Sequence, residues 1–244
     1  MKNHINILNQ FRSKKGQIAI LIDPEKSNKE NELLQLIKNA EIAEIDYFFI
    51  GGSTVTKSDF EKTISILKRN TKIPVIIFPG SSQQISDEAD AILYLSLISG
   101  RNPDYLIGQH VESANELYEM DIEVIPTGYI LIDGGNKSSV AYVSQTTPIP
   151  RDQTSIATKT AIAGVLQGKQ IIYFDAGSGA KKNIPIEMIK SVEKLNVPII
   201  VGGGIRKFET ISEYKNSGVN VIVIGNYIEN NIDFVLDLKN LNRI

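Results

Sequence analysis

The sequence predicts an α/β protein in which eight parallel strands close into a single (β/α)8 barrel. Short runs rich in β-branched residues alternate with longer amphipathic stretches, the pattern of repeated βα units around a parallel sheet. The chain has 244 residues, close to the usual length of one such barrel. Glycine-bearing segments follow the last two strand-like runs, where barrels commonly bind phosphate. One domain spanning residues 1–244 is therefore expected.

Each element of this barrel has its own apolar pattern in the sequence. Strands are expected at residues 18–23, 47–51, 75–78, 91–95, 122–126, 170–175, 198–201 and 219–225. Helices are expected at residues 28–42, 58–69, 104–119, 153–167, 186–195, 207–217 and 232–238.

Two segments depart from a regular barrel. Residues 79–90, between the third and fourth strands, are too few and too polar for a covering helix with its two loops. A missing third helix would open an apolar trough beside strand four, where a long apolar ligand fits. Residues 134–150, after strand five, form a long, polar, proline-bearing segment typical of a lid or binding loop.

The glycine segments near the C-terminus predict one phosphate site. Gly202, Gly203 and Gly204 follow strand seven, and Gly225 and Asn226 follow strand eight. Glycine lets backbone N–H groups approach an anion without a side chain in the way, and a following helix start adds unpaired donors.

A carboxylate at the end of strand one predicts a cation site. Asp23 would lie at the carboxyl rim of the barrel, next to the glycines and hydroxyls of Gly51, Gly52, Ser53 and Thr54 after strand two. Magnesium uses one or two protein oxygens and completes its shell with water and ligand phosphates. The alternative is that Asp23 only caps the following loop.

Strand six ends in a tyrosine and an acid that share one face. Alternation along a strand puts Tyr173 and Asp175 on the same side, facing the predicted phosphate site if that side is the barrel interior. Such a pair could act as a base and a hydrogen-bonding neighbour. The alternative is a core tyrosine followed by an aspartate that begins a turn.

Composition excludes several classes of function. The formal net charge of −2 gives no basic face for nucleic acid, and the absence of cysteine excludes disulfides, thiolate zinc sites and thiol nucleophiles. Residues 1–16 lack the apolar core of a signal peptide, and no stretch approaches a membrane span. A cytoplasmic protein that acts on small molecules is expected.

Six motifs, in order along nearly the whole chain, resemble the geranylgeranylglyceryl phosphate synthase family, which includes heptaprenylglyceryl phosphate synthases. They span residues 22–26, 51–54, 126–129, 173–179, 202–205 and 225–226. The resemblance implies a modified TIM barrel lacking the third helix, dependence on Mg²⁺, and transfer of a prenyl group from its diphosphate to sn-glycerol 1-phosphate. It also implies a homo-oligomer that contacts membrane only transiently, for product release.

The resemblance also implies roles for individual residues. Asp23 and Ser53, with Thr54 as the alternative to Ser53, would bind Mg²⁺ and through it the prenyl diphosphate. Asp175 would be the general base, although the family commonly has Glu there, and Tyr173 would orient the nucleophile. The residues expected to hold glycerol phosphate are Tyr173, Phe174, Asp175, Ala176, Gly177, Ser178, Gly179, Gly203, Gly204, Gly225 and Asn226. Tyr105 falls where family members place bulky residues along the prenyl groove.

Two other functions share the predicted phosphate site. One is a sugar-phosphate isomerase or lyase with the same strand-seven and strand-eight cradle, which would not need a missing third helix. The other is a phosphate-binding protein that has kept the cradle and lost the chemistry. Prenyl chain length and oligomer size stay open on the sequence alone.

Overall fold

Eight parallel strands close into a barrel in which β1 pairs with both β2 and β8. The structure is a computed structural model that describes residues 6–25, 29–52 and 55–241. The strands are β1 (Gln17–Ile22), β2 (Tyr47–Ile50), β3 (Val75–Ile77), β4 (Ala91–Leu97), β5 (Glu123–Leu131), β6 (Ile171–Asp175), β7 (Ile199–Gly202) and β8 (Val221–Ile224). The predicted α/β barrel is confirmed.

Helices cover the outside of the barrel and follow most of the strands. They are α1 (Ile7–Ser13), α2 (Glu30–Ile42), α3 (Lys57–Asn70), α4 (Gln109–Glu119), α5 (Ser139–Val143), α6 (Thr154–Leu166), α7 (Ile186–Ser191), α8 (Phe208–Asn216), α9 (Asn226–Asn230) and α10 (Phe234–Asp237). A π-helical turn, Asp104–Gly108, leads into α4, and 3₁₀ turns lie at Glu193–Leu195 and Leu238–Leu241. None of the helices in the described ranges is long and apolar enough to cross a membrane.

Alternation along the strands builds two apolar layers. Phe49, Leu93 and Tyr173 belong to the cluster inside the barrel. Their neighbours Phe48 and Phe174 belong to the larger cluster between the barrel and the helices. Successive side chains point to opposite faces of a strand, so every strand contributes to both layers.

The helix that would connect β3 to β4 on the outside of the barrel is absent, as predicted. Residues 78–90, all of them described, contain turns, bends and irregular backbone but no helix. The segment is fixed by Gln84, whose Nε2 donates to Gly52 O at 2.7 Å and whose Oε1 accepts from Gly80 N at 2.9 Å. The outer face of β4 therefore lacks the helix that covers the corresponding face of most other strands.

Helix α1, which the sequence pattern did not predict, closes the amino-terminal end of the barrel. Ile7 and Phe11 are fully buried in the inner cluster, and the Phe11 ring meets the Tyr47 ring edge-on with centroids 5.0 Å apart. Asn6 caps the helix by accepting from Asn9 N at 2.8 Å. The polar residues between the buried ones hide this pattern in the sequence.

Strand β5 ends five residues later than predicted, at Leu131 instead of residue 126. Pro126, which has no N–H for a ladder, lies inside the strand. In the structure Pro126 O accepts from Gln170 N at 2.8 Å, and β5 pairs with β6 only from Thr127 onwards. The missing N–H of Pro126 faces the side where β6 has not begun, so it costs no ladder bond.

We predict that Glu123→Gln lowers the free energy of unfolding by about 1 kcal/mol. The Glu123 carboxylate accepts from Ile7 N at 2.6 Å and Leu8 N at 3.1 Å, and an anion at a helix start is favourable. Urea denaturation measures the loss. The control Glu119→Gln, at the exposed end of α4, should leave stability within about 0.5 kcal/mol. Equal effects of the two substitutions would show that Glu123 does not hold α1.

Candidate active site

One cavity of about 360 Å³ joins the carboxyl rim of the barrel to a groove along the outside of β4. Its rim end is lined by Asp23, Asp175 and the glycine segments after β6, β7 and β8. Its far end is lined by Ile92, Tyr94 and Leu117 of β4 and α4. The two predicted features, a phosphate site and an apolar trough, therefore form parts of a single cavity.

The rim end offers a group of backbone donors. Within the described ranges, the following N–H groups have no hydrogen-bond partner: Ser178, Gly179, Gly203, Gly204 and Gly225. Convergent N–H groups of this kind bind phosphate and other anions. The loops after β6 and β8 touch directly, because Asn226 Nδ2 donates to Ser178 Oγ at 2.9 Å.

Glycine is required at two positions of this cradle. Gly203 has φ +89°, and a Cβ there would lie 2.7 Å from both Asp175 Oδ1 and Ala176 N. Gly204 has φ +71°, and a Cβ there would lie 2.7 Å from Ala180 O. Both a strained backbone and a steric clash therefore oppose any side chain.

Arg206 adds a cation beside the cradle. Its Nη2 donates to Ala180 O at 3.3 Å and Gly179 O at 3.4 Å, and the residue lines the cavity. Its guanidinium charge would favour a bound anion.

Asp175 lies at the base of the rim end and accepts two hydrogen bonds. Gly177 N donates to its Oδ1 at 2.8 Å, and the hydroxyl of Tyr129 donates to its Oδ2 at 2.5 Å. Tyr173 lies beside them, with its ring centroid 5.4 Å from that of Tyr129 and 5.3 Å from that of Phe78. The predicted alternation is confirmed, since Tyr173 and Asp175 both line the cavity.

Burial changes the acid–base properties of these three groups. Desolvation raises the pKa of Asp175, while the hydrogen bonds from Tyr129 and Gly177 act in the opposite direction. Desolvation, reinforced by the Asp175 charge, raises the pKa values of Tyr129 and Tyr173 well above that of a free tyrosine. The tyrosines are therefore neutral at physiological pH, and the carboxylate is a stronger base than an exposed aspartate.

Tyr129 belongs to the motif at residues 126–129, but no role in the site was predicted for it from the sequence. It lies among the five residues, 127–131, by which β5 runs past its predicted end. A signal was present in the sequence: the run from Gly128 to Leu131 is apolar enough to continue the strand, and alternation would then point Tyr129 inward.

Phe174 and Ala176 occupy different surroundings from those predicted. Their side chains face the outer layer between barrel and helices, and neither lines the cavity. The N–H of Ala176 is already bonded to Gly202 O at 3.1 Å. Side-chain contact with a ligand in the cavity is excluded for both, because they alternate with Tyr173 and Asp175.

Asp23 reaches the cavity at the carboxyl end of β1, as predicted. Its Oδ1 accepts from Glu25 N at 3.2 Å, and the absence of a Cβ at Gly52 leaves room for this carboxylate. The predicted partner Ser53, and its alternative Thr54, lie outside the described residues. In the part of the chain that is described, no group of three or more acidic or histidine side chains forms a metal site.

The long segment after β5 covers part of the cavity. It contains α5, and Ser139, Val140 and Val143 line the cavity from above. A parallel β-bridge between Ile132 and Ile149 joins the two ends of the segment. The prediction that this segment is a binding loop agrees with this position.

The far end of the cavity is an apolar groove with one histidine. His110 Nε2 lies 2.8 Å from Leu95 O, so it carries a proton, and burial lowers the pKa of the ring. Tyr94 donates from its hydroxyl to His110 O at 2.8 Å. Tyr105 lines the groove near the point where it joins the rim end.

A closed (β/α)8 barrel with unpaired N–H groups after its sixth, seventh and eighth strands, around a buried carboxylate, is an enzyme-like phosphate-binding barrel. The chain belongs to the PcrB family, whose model matches residues 9–240.

Named relatives of the chain share one activity. A geranylgeranylglyceryl phosphate synthase of Flavobacterium johnsoniae is 46% identical over 232 residues, covering 95% of each chain. The protein of the same name from Chitinophaga pinensis is 45% identical over 240 residues, covering 96% of this chain and 95% of its own.

Solved structures agree with these relatives. The (S)-3-O-geranylgeranylglyceryl phosphate synthase of Thermoplasma acidophilum, in complex with sn-glycerol-1-phosphate, superimposes with a TM-score of 0.88 at 34% identity, covering 98% of this chain and 96% of its own. A mutant tryptophan synthase α-subunit of Pyrococcus furiosus superimposes with a TM-score of 0.57 at 13% identity, and the match covers 95% of this chain and 99% of that subunit. At this identity the match shows only a common fold.

We predict that Gly204→Val weakens the binding of inorganic phosphate at least about tenfold, or about 1.4 kcal/mol. The side chain would displace the anion from the backbone donors. Calorimetric titration with phosphate measures the effect.

Gly168→Val is the matched control. Gly168 also has positive φ, +87°, but a Cβ there meets nothing within 4 Å, and it lies in the turn between α6 and β6 at the other end of the barrel. Similar weakening by both variants would mean that the loss comes from general strain and not from the cradle.

Proposed function

We propose that this chain is a prenyltransferase that joins a prenyl diphosphate, geranylgeranyl diphosphate in the first instance, to the 3-hydroxyl of sn-glycerol 1-phosphate. The observation that carries the proposal is the single cavity that connects an anion cradle to an apolar groove. Its products are an ether-linked prenylglyceryl phosphate and diphosphate. The activity named for the relatives in the same family supports it.

The cradle suits the phosphate of the glycerol substrate. The unpaired N–H groups of Gly203 and Gly204 would bind its oxygens, with Arg206 alongside. Anchored there, the substrate places its hydroxyl end toward Asp175, which borders Gly203. Holding the nucleophile in this way supplies much of the rate acceleration by positioning.

The groove suits the prenyl tail. It is lined mainly by apolar and aromatic side chains, including Ile92, Tyr94 and Leu117, and it runs outside the barrel where no helix follows β3. Burial of a hydrocarbon chain contributes about 0.8 kcal/mol per methylene. A compact sugar phosphate would leave this surface unused, which disfavours the isomerase or lyase alternative.

The rim carboxylate suits a magnesium ion. Asp23 and Glu25 both line the cavity. One or two carboxylates are the usual protein ligands of Mg²⁺, which completes its coordination shell with water and ligand phosphates. When bound, the ion would neutralise charge on the diphosphate and favour its departure. Ser53, with Thr54 as its alternative, remains the proposed partner of Asp23 at this site.

The protein's own groups handle the nucleophile. Asp175, made more basic by burial, accepts the proton that leaves the glycerol hydroxyl. Tyr173 forms the adjoining wall and limits the directions from which the hydroxyl can approach. The aromatic rings of Phe78, Tyr129 and Tyr173 exclude water that would otherwise attack the prenyl carbon.

One assay separates the candidate functions. The enzyme is incubated with Mg²⁺, labelled sn-glycerol 1-phosphate and geranylgeranyl diphosphate, and the product is extracted into butanol. A labelled organic phase is expected. Consumption of a sugar phosphate without extraction would favour the isomerase or lyase, and binding without turnover would favour a phosphate-binding protein.

We also propose that the enzyme works as a cytoplasmic homo-oligomer with no nucleic-acid partner and only transient membrane contact. Helix α6 does not separate its polar and apolar residues onto two faces, and its apolar residues Ile156, Ile162 and Leu166 are 48%, 39% and 83% exposed. A second copy packed against this helix would cover these apolar side chains.

We predict that Asp23→Asn lowers prenyl transfer at least about 100-fold at saturating substrates while the fold is retained. Loss of the carboxylate would weaken Mg²⁺ and diphosphate binding together, which a magnesium titration of the rate detects.

Asp133→Asn is the control, because Asp133 forms the same kind of turn by accepting from Gly135 N at 2.8 Å, but is exposed and outside the cavity. Near-wild-type turnover of Asp23→Asn would show that the metal assignment is wrong.

We predict that Tyr105→Ala shifts the preferred donor from geranylgeranyl toward heptaprenyl diphosphate. Removing the ring would lengthen the space available to the tail, and each further isoprene unit adds roughly 2–4 kcal/mol of burial before ordering costs. Competition between the two donors, read by mass spectrometry of the ether product, measures the shift. Tyr118→Ala, which removes an 87% exposed tyrosine of α4, should change nothing. An unchanged preference in Tyr105→Ala would place the length limit elsewhere.

A further inference from the structure

Asp175 has both carboxylate oxygens engaged by the protein. Its Oδ1 accepts from Gly177 N at 2.8 Å, and its Oδ2 accepts from the Tyr129 hydroxyl at 2.5 Å. The side chain is short and only 9% exposed. The side-chain donor to this carboxylate is a tyrosine that is itself part of the cavity wall.

Tyr129 is held in a fixed orientation. Its ring packs edge-on against Tyr173, and its centroid lies 5.8 Å from that of Phe78. Its position in β5, opposite Tyr173 in the pairing with β6, sets the base of the side chain. A phenol oxygen that donates one hydrogen bond keeps lone pairs to accept another. A hydroxyl in the cavity could therefore donate to Tyr129 while Tyr129 donates to Asp175.

The charge states of the pair suit proton transfer in this direction. Burial raises the pKa of Tyr129, so the phenol holds its proton at rest, and burial raises the pKa of Asp175, so the carboxylate is a better proton acceptor. Tyr173 has a hydroxyl nearby, but no hydrogen bond joins it to Asp175 or to any other described residue. Tyr129 is the tyrosine with a direct path to the carboxylate.

We propose that Tyr129 is a catalytic residue that relays the proton from the glycerol hydroxyl to Asp175. The inference rests on the proposed prenyl transfer. The 3-oxygen of the glycerol substrate forms a bond to carbon 1 of the prenyl chain, and the bond from that carbon to diphosphate breaks, its electron pair leaving with diphosphate. The hydroxyl proton passes to Tyr129 Oη as the proton of Tyr129 passes to Asp175 Oδ2. Tyr129 ends neutral, and protonated Asp175 later releases its proton to water.

The test is a double-mutant cycle of Tyr129→Phe and Asp175→Glu, with kcat and the KM for sn-glycerol 1-phosphate measured for all four enzymes. In the wild-type background, Tyr129→Phe should lower kcat about 100-fold and change KM less than about threefold. A glutamate reaches one methylene further into the cavity and can take the proton directly. In the Asp175→Glu background, Tyr129→Phe should therefore lower kcat less than about fivefold.

Tyr47→Phe controls for the loss of a buried phenol. The Tyr47 hydroxyl donates to Gln17 Oε1 at 2.6 Å at the opposite end of the barrel. This variant should lose stability but keep kcat.

Three results would overturn the relay. They are a kcat of Tyr129→Phe within threefold of wild type, an equal loss from Tyr129→Phe in both backgrounds, and an Asp175→Glu enzyme more than tenfold slower than wild type. The second would make Tyr129 a structural support only. The third would show that a longer carboxylate does not bypass the tyrosine. A wild-type enzyme that forms no extractable product would instead refute the proposed function, and the relay with it.

Discussion

The rim of the cavity depends on the hydrogen bonds that hold the buried carboxylate of Asp175. A carboxylate removed from water is strongly unfavourable unless donors compensate it, and here Gly177 N and the Tyr129 hydroxyl do so. These bonds explain neighbouring features. Strand β5 must continue to Tyr129 to supply one donor. Gly203 must lack a side chain, since a Cβ would lie 2.7 Å from Asp175 Oδ1. The acid and the glycine cradle are thus parts of one arrangement.

A gap in the outer helical layer gives the cavity its second half. Because residues 78–90 contain no helix, Ile92 and Tyr94 on the outer face of β4 line a cavity that they share with His110 and Leu117 of α4. The groove therefore opens beside the rim, near Tyr105. An ordinary third helix would fill this space and leave a phosphate site without a place for a long apolar chain.

The sequence predicts whatever depends on local pattern and chain length. Eight apolar runs locate the strands, the short interval before β4 reveals the missing helix, and alternation places Tyr173 with Asp175. The sequence pattern fails where contacts between residues far apart in the chain determine whether an element forms or where it ends. Whether Pro126 ends β5 depends on where β6 begins to pair, and whether α1 forms depends on Phe11 reaching Tyr47 inside the barrel. The prediction that all of residues 173–179 bind the ligand did not take strand alternation into account, because the Phe174 side chain points away from the cavity into the outer apolar layer.

The closeness of the cradle to Asp175 also links binding to basicity. Gly203 contributes an unpaired N–H to the cradle, and its Cα borders the Asp175 carboxylate. A phosphate dianion bound there brings negative charge next to a carboxylate whose pKa burial has already raised. A nearby like charge disfavours the ionised form, so it raises the pKa further. The phosphate that anchors the glycerol substrate would then make the proton acceptor stronger in the complex than in the free enzyme.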